Sequence, residues 1–280
     1  MFRLPTEPLA PMPLLLRGLQ LGTHSFVKLF MITTFSGLLA LLPTLYMAMR
    51  IGDTVLTPSA QLQFVDGRWG LIELLSLISI LLLQGIVITR MDLIARENRT
   101  DLGVEWRSAL RALLPLIGAL LLCMGIFIVT CLVAGIAGML AGLVGMLFAG
   151  KAGLIFVLIV TLLAACIYVS IYLLFIQYFI VLDRKNPLDA VNGSFNLVYG
   201  KWWSTFLVLL VLVLTVVILA VLIMLPFLAV FGAFATEQTG RGLLIKGVLE
   251  MIFTAIFAPF GLAVIYLLFQ DLKLRRQAPA

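Results

Sequence analysis

The side chains best able to do chemistry in this 280-residue chain are few and scattered. Its single histidine, His24, stands in "GTHSF" beside Ser25. A nucleophile needs a base and an orienting group within hydrogen-bond reach, and adjacency in sequence does not supply that arrangement. Cys123, Cys131 and Cys166 lie inside apolar runs without metal-type spacing. They read as small apolar packers and not as metal ligands or a disulfide framework. The chain also has no HExxH, no phosphate-binding Gly-Lys loop and no Cys/His cluster. The expectation is a protein with no catalytic residue, no metal and no cofactor.

Ionisable and amide groups inside apolar stretches come next, because in a membrane such groups usually mark an ion or substrate path. Glu73, Glu250 and Lys28 each lie near the end of an apolar stretch. Glu73 and Glu250 are expected at similar depth near the outer side, where they could form a cation site. Snorkelling to the interface is the simpler and preferred reading. Gln84, Gln177 and Gln270 follow "LLL", "LFI" and "LLF" at intervals of 93 residues, each at the inner end of a returning span. They read as markers of the polar interface, with a cluster of interhelical hydrogen bonds as the sharper alternative. These five residues are the expected pore or lipid contacts, should the chain have any.

The elements that must position these groups follow from composition. The chain is 63% hydrophobic and 11% charged, with mean hydropathy +1.19. Soluble domains are about half apolar and a quarter charged, so this is read as an integral membrane protein. The N-terminal "MFRLPTEPLAPMP", with its four prolines, does not read as a removable signal peptide. Crossing the hydrocarbon takes about 20 apolar residues as a helix. Six stretches qualify: 29–49, 71–89, 113–134, 154–179, 204–228 and 248–269. Between the third and fourth, "GIAGMLAGLVGMLFAG" (135–150) reads as a close-packed helix end, with a re-entrant loop as the alternative. Its Gly138/Gly142 and Ala149/Gly153 spacings favour close helix approach.

Lysine and arginine set orientation. The N-terminal segment, the 90–112 and 183–203 loops and the tail hold 14 of them, against 5 in the three opposite connections. Both termini are therefore expected in the cytoplasm. The net charge of +6 is this orientation signal and does not imply nucleic acid. On the same grounds "NRT" (98–100) and "NGS" (192–194), in cytoplasmic loops, are coincidental glycosylation matches. The expected partners are membrane lipids and an envelope protein.

The cytoplasmic segments have helical grammar. In "NPLDAVNGSFNLVYGKWW", Asn186 and Pro187 suit a helix start, Asp189 the first turn, and Gly200 a left-handed stop. Leu188, Val191, Phe195, Val198 and Trp202 form an apolar stripe, predicting an interfacial helix that turns into the fifth span at Trp202 and Trp203. Weaker versions occupy 101–112 and 13–26. The fold class expected is all-α: six transmembrane helices plus cytoplasmic amphipathic surface helices. Residues 1–12 are a tail, 13–272 one membrane domain and 273–280 a basic tail. Copies of surface helix and hairpin would fall at 13–89, 101–182 and 187–272.

Ala190-x3-Ser194-x2-Leu197-x2-Gly200-x2-Trp203 resembles the signature of the YciC-like bacterial inner-membrane proteins. That family is similar to the membrane half of some glycerophosphodiester phosphodiesterases. The resemblance covers nearly the whole chain. It implies a six-span protein without established catalytic residues, associated with envelope upkeep, whose motif residues pack the surface helix against the bundle. It does not imply phosphodiesterase activity, since the soluble barrel that would carry it is absent from this sequence. The expected role is non-enzymatic organisation of membrane or envelope, with a permease or channel as the alternative.

Overall fold

The computed structural model describes residues 4–5, 7–52, 66–96, 101–235 and 239–277. Among them every regular element is a helix: α1 (Pro11–Ile51), α2 (Gly67–Ala95), α3 (Leu102–Leu173), α4 (Ile176–Val181), α5 (Pro187–Val198), α6 (Trp202–Ala235) and α7 (Gly240–Gln277). Five helical stretches among the described residues are long and apolar enough to cross a membrane, the longest being Leu102–Val181. Large apolar side chains along them are exposed, as on Leu114, Leu147 and Phe148. Exposure of this extent is what a surface in contact with hydrocarbon shows.

Three boundaries differ from the sequence reading. Segments 13–26 and 101–112 are not separate surface helices; they are the first turns of α1 and α3, continuous with the apolar stretches that follow. Only α5 stands alone. The third and fourth expected spans are two helical limbs of α3 that continue through most of 135–150 and part only at the non-helical backbone of Ala149 (φ −134°, ψ 18°) and Gly150 (φ 59°, ψ −148°). Lastly, the expected span 154–179 breaks between Leu173 and Ile176. The "NRT" triplet lies outside the described residues.

The helices gather into two compact units, Met1–Leu113 with Leu207–Ala280, and Leu114–Phe206. In the first, α1 and α7 run antiparallel and in direct backbone contact. A Cβ at Gly18 would lie 2.9 Å from Val264 Cα, one at Gly22 would lie 3.1 Å from Phe260 Cα, and one at Gly37 would lie 2.7 Å from Met251 Cγ. Small residues bring helices close where water supplies no driving force. At the far end the Gly240 N–H donates to Gly52 O at 2.9 Å. Helix α2 leans on α1 through Ser76 Oγ, which donates to Leu39 O at 2.8 Å. Leu83 and Ile86 of α2 pack with Ala109 of α3 against Ile32 and Leu39 of α1.

In the second unit the two limbs of α3 fold on each other beyond the Ala149–Gly150 turn. Gly138, Gly142 and Gly145 face Leu158, Leu154 and Gly153, with glycine Cβ positions 3.1 Å from atoms of those partners. The close-packed reading of 135–150 thus matches the geometry of the turn. Cys131 and Cys166, expected as unrelated packers, meet across the limbs with their sulfurs 3.8 Å apart.

Candidate functional site

The motif helix α5 is a structural clamp. Pro187 occupies its first turn with Asp189, as expected, but Asn186 makes no side-chain cap. Its buried side is Ala190, Val191, Ser194, Leu197 and Val198. Of the expected apolar stripe, Val191 and Val198 are buried, whereas Leu188 and Phe195 are exposed. The small motif residues therefore face protein. Ser194 Oγ donates to Tyr172 O and accepts the Phe175 N–H at 3.3 Å. Those are the backbone groups freed where the helical ladder breaks between α3 and α4, so Ser194 replaces the missing partners. Gly200 takes φ +77° after the helix, with nothing within 4 Å of a Cβ there. It serves the left-handed stop expected of it and no close approach. Trp203 is exposed, and Trp202 stacks on Phe206 with centroids 5.2 Å apart. Ser194→Ala should lower stability by about 1–3 kcal/mol, the cost of leaving buried backbone groups unsatisfied. Unfolding in detergent followed by circular dichroism measures it. Ser79→Ala, which removes a hydroxyl bonded within its own helix, is the unchanged control.

A second arrangement lies in the first unit, between α1, α2 and α7. A cavity of about 260 Å³ is lined by Ser36, Gly37, Ala40, Leu41, Thr44, Ile80, Gln84, Gly247, Glu250, Met251 and Thr254. Gln84 and Glu250 were both expected pore or lipid contacts, and the bundle brings them to one wall. Glu73 is not in that wall and is exposed on α2. The alternative of a Glu73–Glu250 cation site finds no support in these placements. Gln270 bonds instead to Tyr266 O–H, at 3.2 Å, and Gln177 lies on α4 in the second unit. The sharper reading of a three-glutamine cluster finds no support in these placements.

Depth follows from helix rise. At about 1.5 Å per residue, Glu250 lies about 15 Å along α7 from the Gly240–Gly52 contact. The α1 wall, Ser36 to Thr44, spans about 10–22 Å from Ile51 on the same measure. Both therefore sit at similar distances from that end of the bundle. Glu250 and Lys246 pair at 3.9 Å, with side chains 69% and 65% exposed, so the mouth opens on the flank of the bundle.

On the other side of the cavity the bundle is closed. Leu21, Leu29, Met91, Val264, Leu267 and Phe269 are each at most 1% exposed. The helix ends beyond them are tied by polar bonds. Arg90 of α2 grips both carboxylate oxygens of Glu105 at 2.7–3.0 Å and donates to Lys28 O of α1 at 3.1 Å. Asp92 accepts the Tyr266 O–H at 2.7 Å, joining α2 to α7, and also pairs with Arg96 at 2.9 Å. Asp271 accepts the Leu9 N–H at 2.7 Å and holds Arg275. At the opposite end Asp66 caps α2 by accepting the Trp69 N–H and pairs with Arg50 at 2.6 Å. The Trp69 N–H, helped by Arg50 and Tyr46, holds the Asp66 carboxyl below its usual 3.8.

The two residues that sequence places side by side for nucleophilic chemistry point apart. Ser25 is buried and donates to its own helix at Leu21 O, 2.7 Å away, whereas His24 is exposed. One feature under the pocket was missed in the sequence, the Gly18-x3-Gly22 pair that sets the α1–α7 contact. Its signal was present, since small residues four apart in an apolar helix mark a packing face.

The model of one family, described as a domain of unknown function (DUF7847), matches residues 29–272. The chain belongs to the DUF7847 family. The matched span holds the whole cavity wall, the Arg90–Glu105 pair and Ser194 of the α5 clamp. No curated protein and no solved structure matches the chain.

Proposed function

We propose that this DUF7847 member is a non-catalytic, six-span protein of the bacterial inner membrane that organises the membrane by holding a lipid in the α1–α2–α7 pocket. The observation that carries the reading is a cavity bearing Gln84, Glu250 and three hydroxyls on the flank of a bundle that is tightly packed beyond it. Such a site receives a ligand from the flank without offering a path through. Counting the limbs of α3 separately supports six spans, and the lysine and arginine bias supports cytoplasmic termini. The YciC-like resemblance of the α5 motif agrees with an envelope role. Filling the cavity tests the idea. Wild-type protein should retain lipid through purification, seen by native mass spectrometry. Thr254→Phe should lose it at an unchanged melting temperature. Equal retention would remove the pocket from the account.

A carrier is the second reading, favoured by the meeting of Gln84 and Glu250 in one cavity. The closed inner half weighs against it.

A further inference from the structure

We infer that the pocket takes the headgroup of a phosphoethanolamine lipid, with Glu250 receiving the primary ammonium and Lys246 the phosphate. This inference rests on the lipid-holding reading above and names the lipid class.

Four observations carry it. First, Glu250 supplies the single formal charge among the described residues lining the cavity, and the other polar groups described there are neutral: Ser36, Thr44, Gln84 and Thr254. A cation is the complement of that wall. Second, Lys246 stands one helical turn nearer the Gly240 end and 3.9 Å from Glu250. A carboxylate and an ammonium side by side at the mouth match a zwitterion whose own ammonium and phosphate can each meet one of them. The ligand would part the Lys246–Glu250 pair and replace it with two charge-assisted contacts, the stronger kind of hydrogen bond. The pair it replaces is long and exposed, so little opposes the exchange.

Third, the lining selects among ammonium groups. A primary ammonium has three N–H donors, and the Gln84 carbonyl and the Ser36 and Thr254 hydroxyls can accept them beside Glu250. A quaternary ammonium has no N–H and is held by aromatic faces. No aromatic side chain lines the cavity among the described residues. Fourth, the mouth is set in apolar surface. Leu38 and Leu42 of α1 and Val248 and Ile252 of α7 are exposed beside it, giving acyl chains a place to lie. A soluble headgroup alone would leave that surface unused.

The test uses purified full-length protein in detergent, titrated with chain-matched phosphatidylethanolamine, phosphatidylcholine and phosphatidylglycerol, and with soluble glycerophosphoethanolamine. Native mass spectrometry reads occupancy. The ethanolamine lipid should bind about tenfold more tightly than the choline lipid, the scale of one charged hydrogen bond. Glu250→Gln should erase that preference at an unchanged melting temperature, and Glu73→Gln, outside the wall, should preserve it. Equal binding of ethanolamine and choline lipids, or a preference that survives Glu250→Gln, overturns the headgroup assignment and leaves lipid holding intact. Glycerophosphoethanolamine competing as well as the intact lipid overturns the lipid source. Failure of every lipid to bind overturns both this inference and the reading beneath it.

Discussion

Arg90→Met should destabilise the protein by about 3–5 kcal/mol, the usual result of removing one partner from a buried ion pair. Glu105 is 0% exposed and Arg90 13%, so the carboxylate left behind has no water to turn to. The same guanidinium also holds Lys28 O, so α1, α2 and α3 lose a shared tie. The double variant Arg90→Met/Glu105→Leu separates two causes of the loss. If desolvation of the orphaned charge dominates, the double variant should recover most of the stability, because an apolar pair carries no such penalty. Chemical unfolding of the three proteins in one detergent gives the comparison. A double variant no better than the single would mean that the bond to Lys28 O, rather than the charge pair, fixes this end.

Gly18→Leu should have the next largest effect. Its Cβ would meet Val264 Cγ2 at 2.6 Å and Val264 Cα at 2.9 Å, and a backbone atom cannot rotate away. Overpacking of a close contact costs about 1–3 kcal/mol and occasionally more. Gly37→Ala should cost less, because its nearest neighbour is the Met251 side chain at 2.7 Å, which has rotatable bonds to spare. Gly261→Ala, with nothing within 4 Å, should be neutral or slightly stabilising through helix propensity. Melting temperatures in that order, Gly261→Ala above Gly37→Ala above Gly18→Leu, are the expected outcome. A Gly18 variant melting with the wild type would show that α1 and α7 are not held at this distance.

Length and apolarity made the long helices legible, and Pro187 and Gly200 were read in the roles they occupy, as helix start and left-handed stop. The buried face of α5 was only partly legible: Val191 and Val198 of the stripe are buried, but Leu188 and Phe195 are exposed. In water an apolar stripe marks the side that faces protein, and the sequence rule for stripes depends on that contrast. Beside hydrocarbon the contrast vanishes, and close approach by Ala190 and Ser194 decides the face instead. The continuity of α1 through Arg17 and His24 was hidden for a related reason. Backbone bonds within a helix close regardless of side-chain polarity, so a polar turn does not mark an end. The break after Leu173 has no Gly or Pro to announce it and depends on a partner 19–22 residues later in the chain. Gln84 and Glu250 were singled out separately, but their meeting depends on the register of α1, α2 and α7, which the glycine contacts set.

On the proposed reading the α1–α2–α7 pocket holds a ligand and does not conduct one. Its most direct test is ion and lipid flux across liposomes containing the purified chain. The account predicts flux equal to protein-free liposomes, for wild type and for Glu250→Gln alike. Sustained flux that Glu250→Gln abolishes would contradict it, and would make the closed half of the bundle a gate.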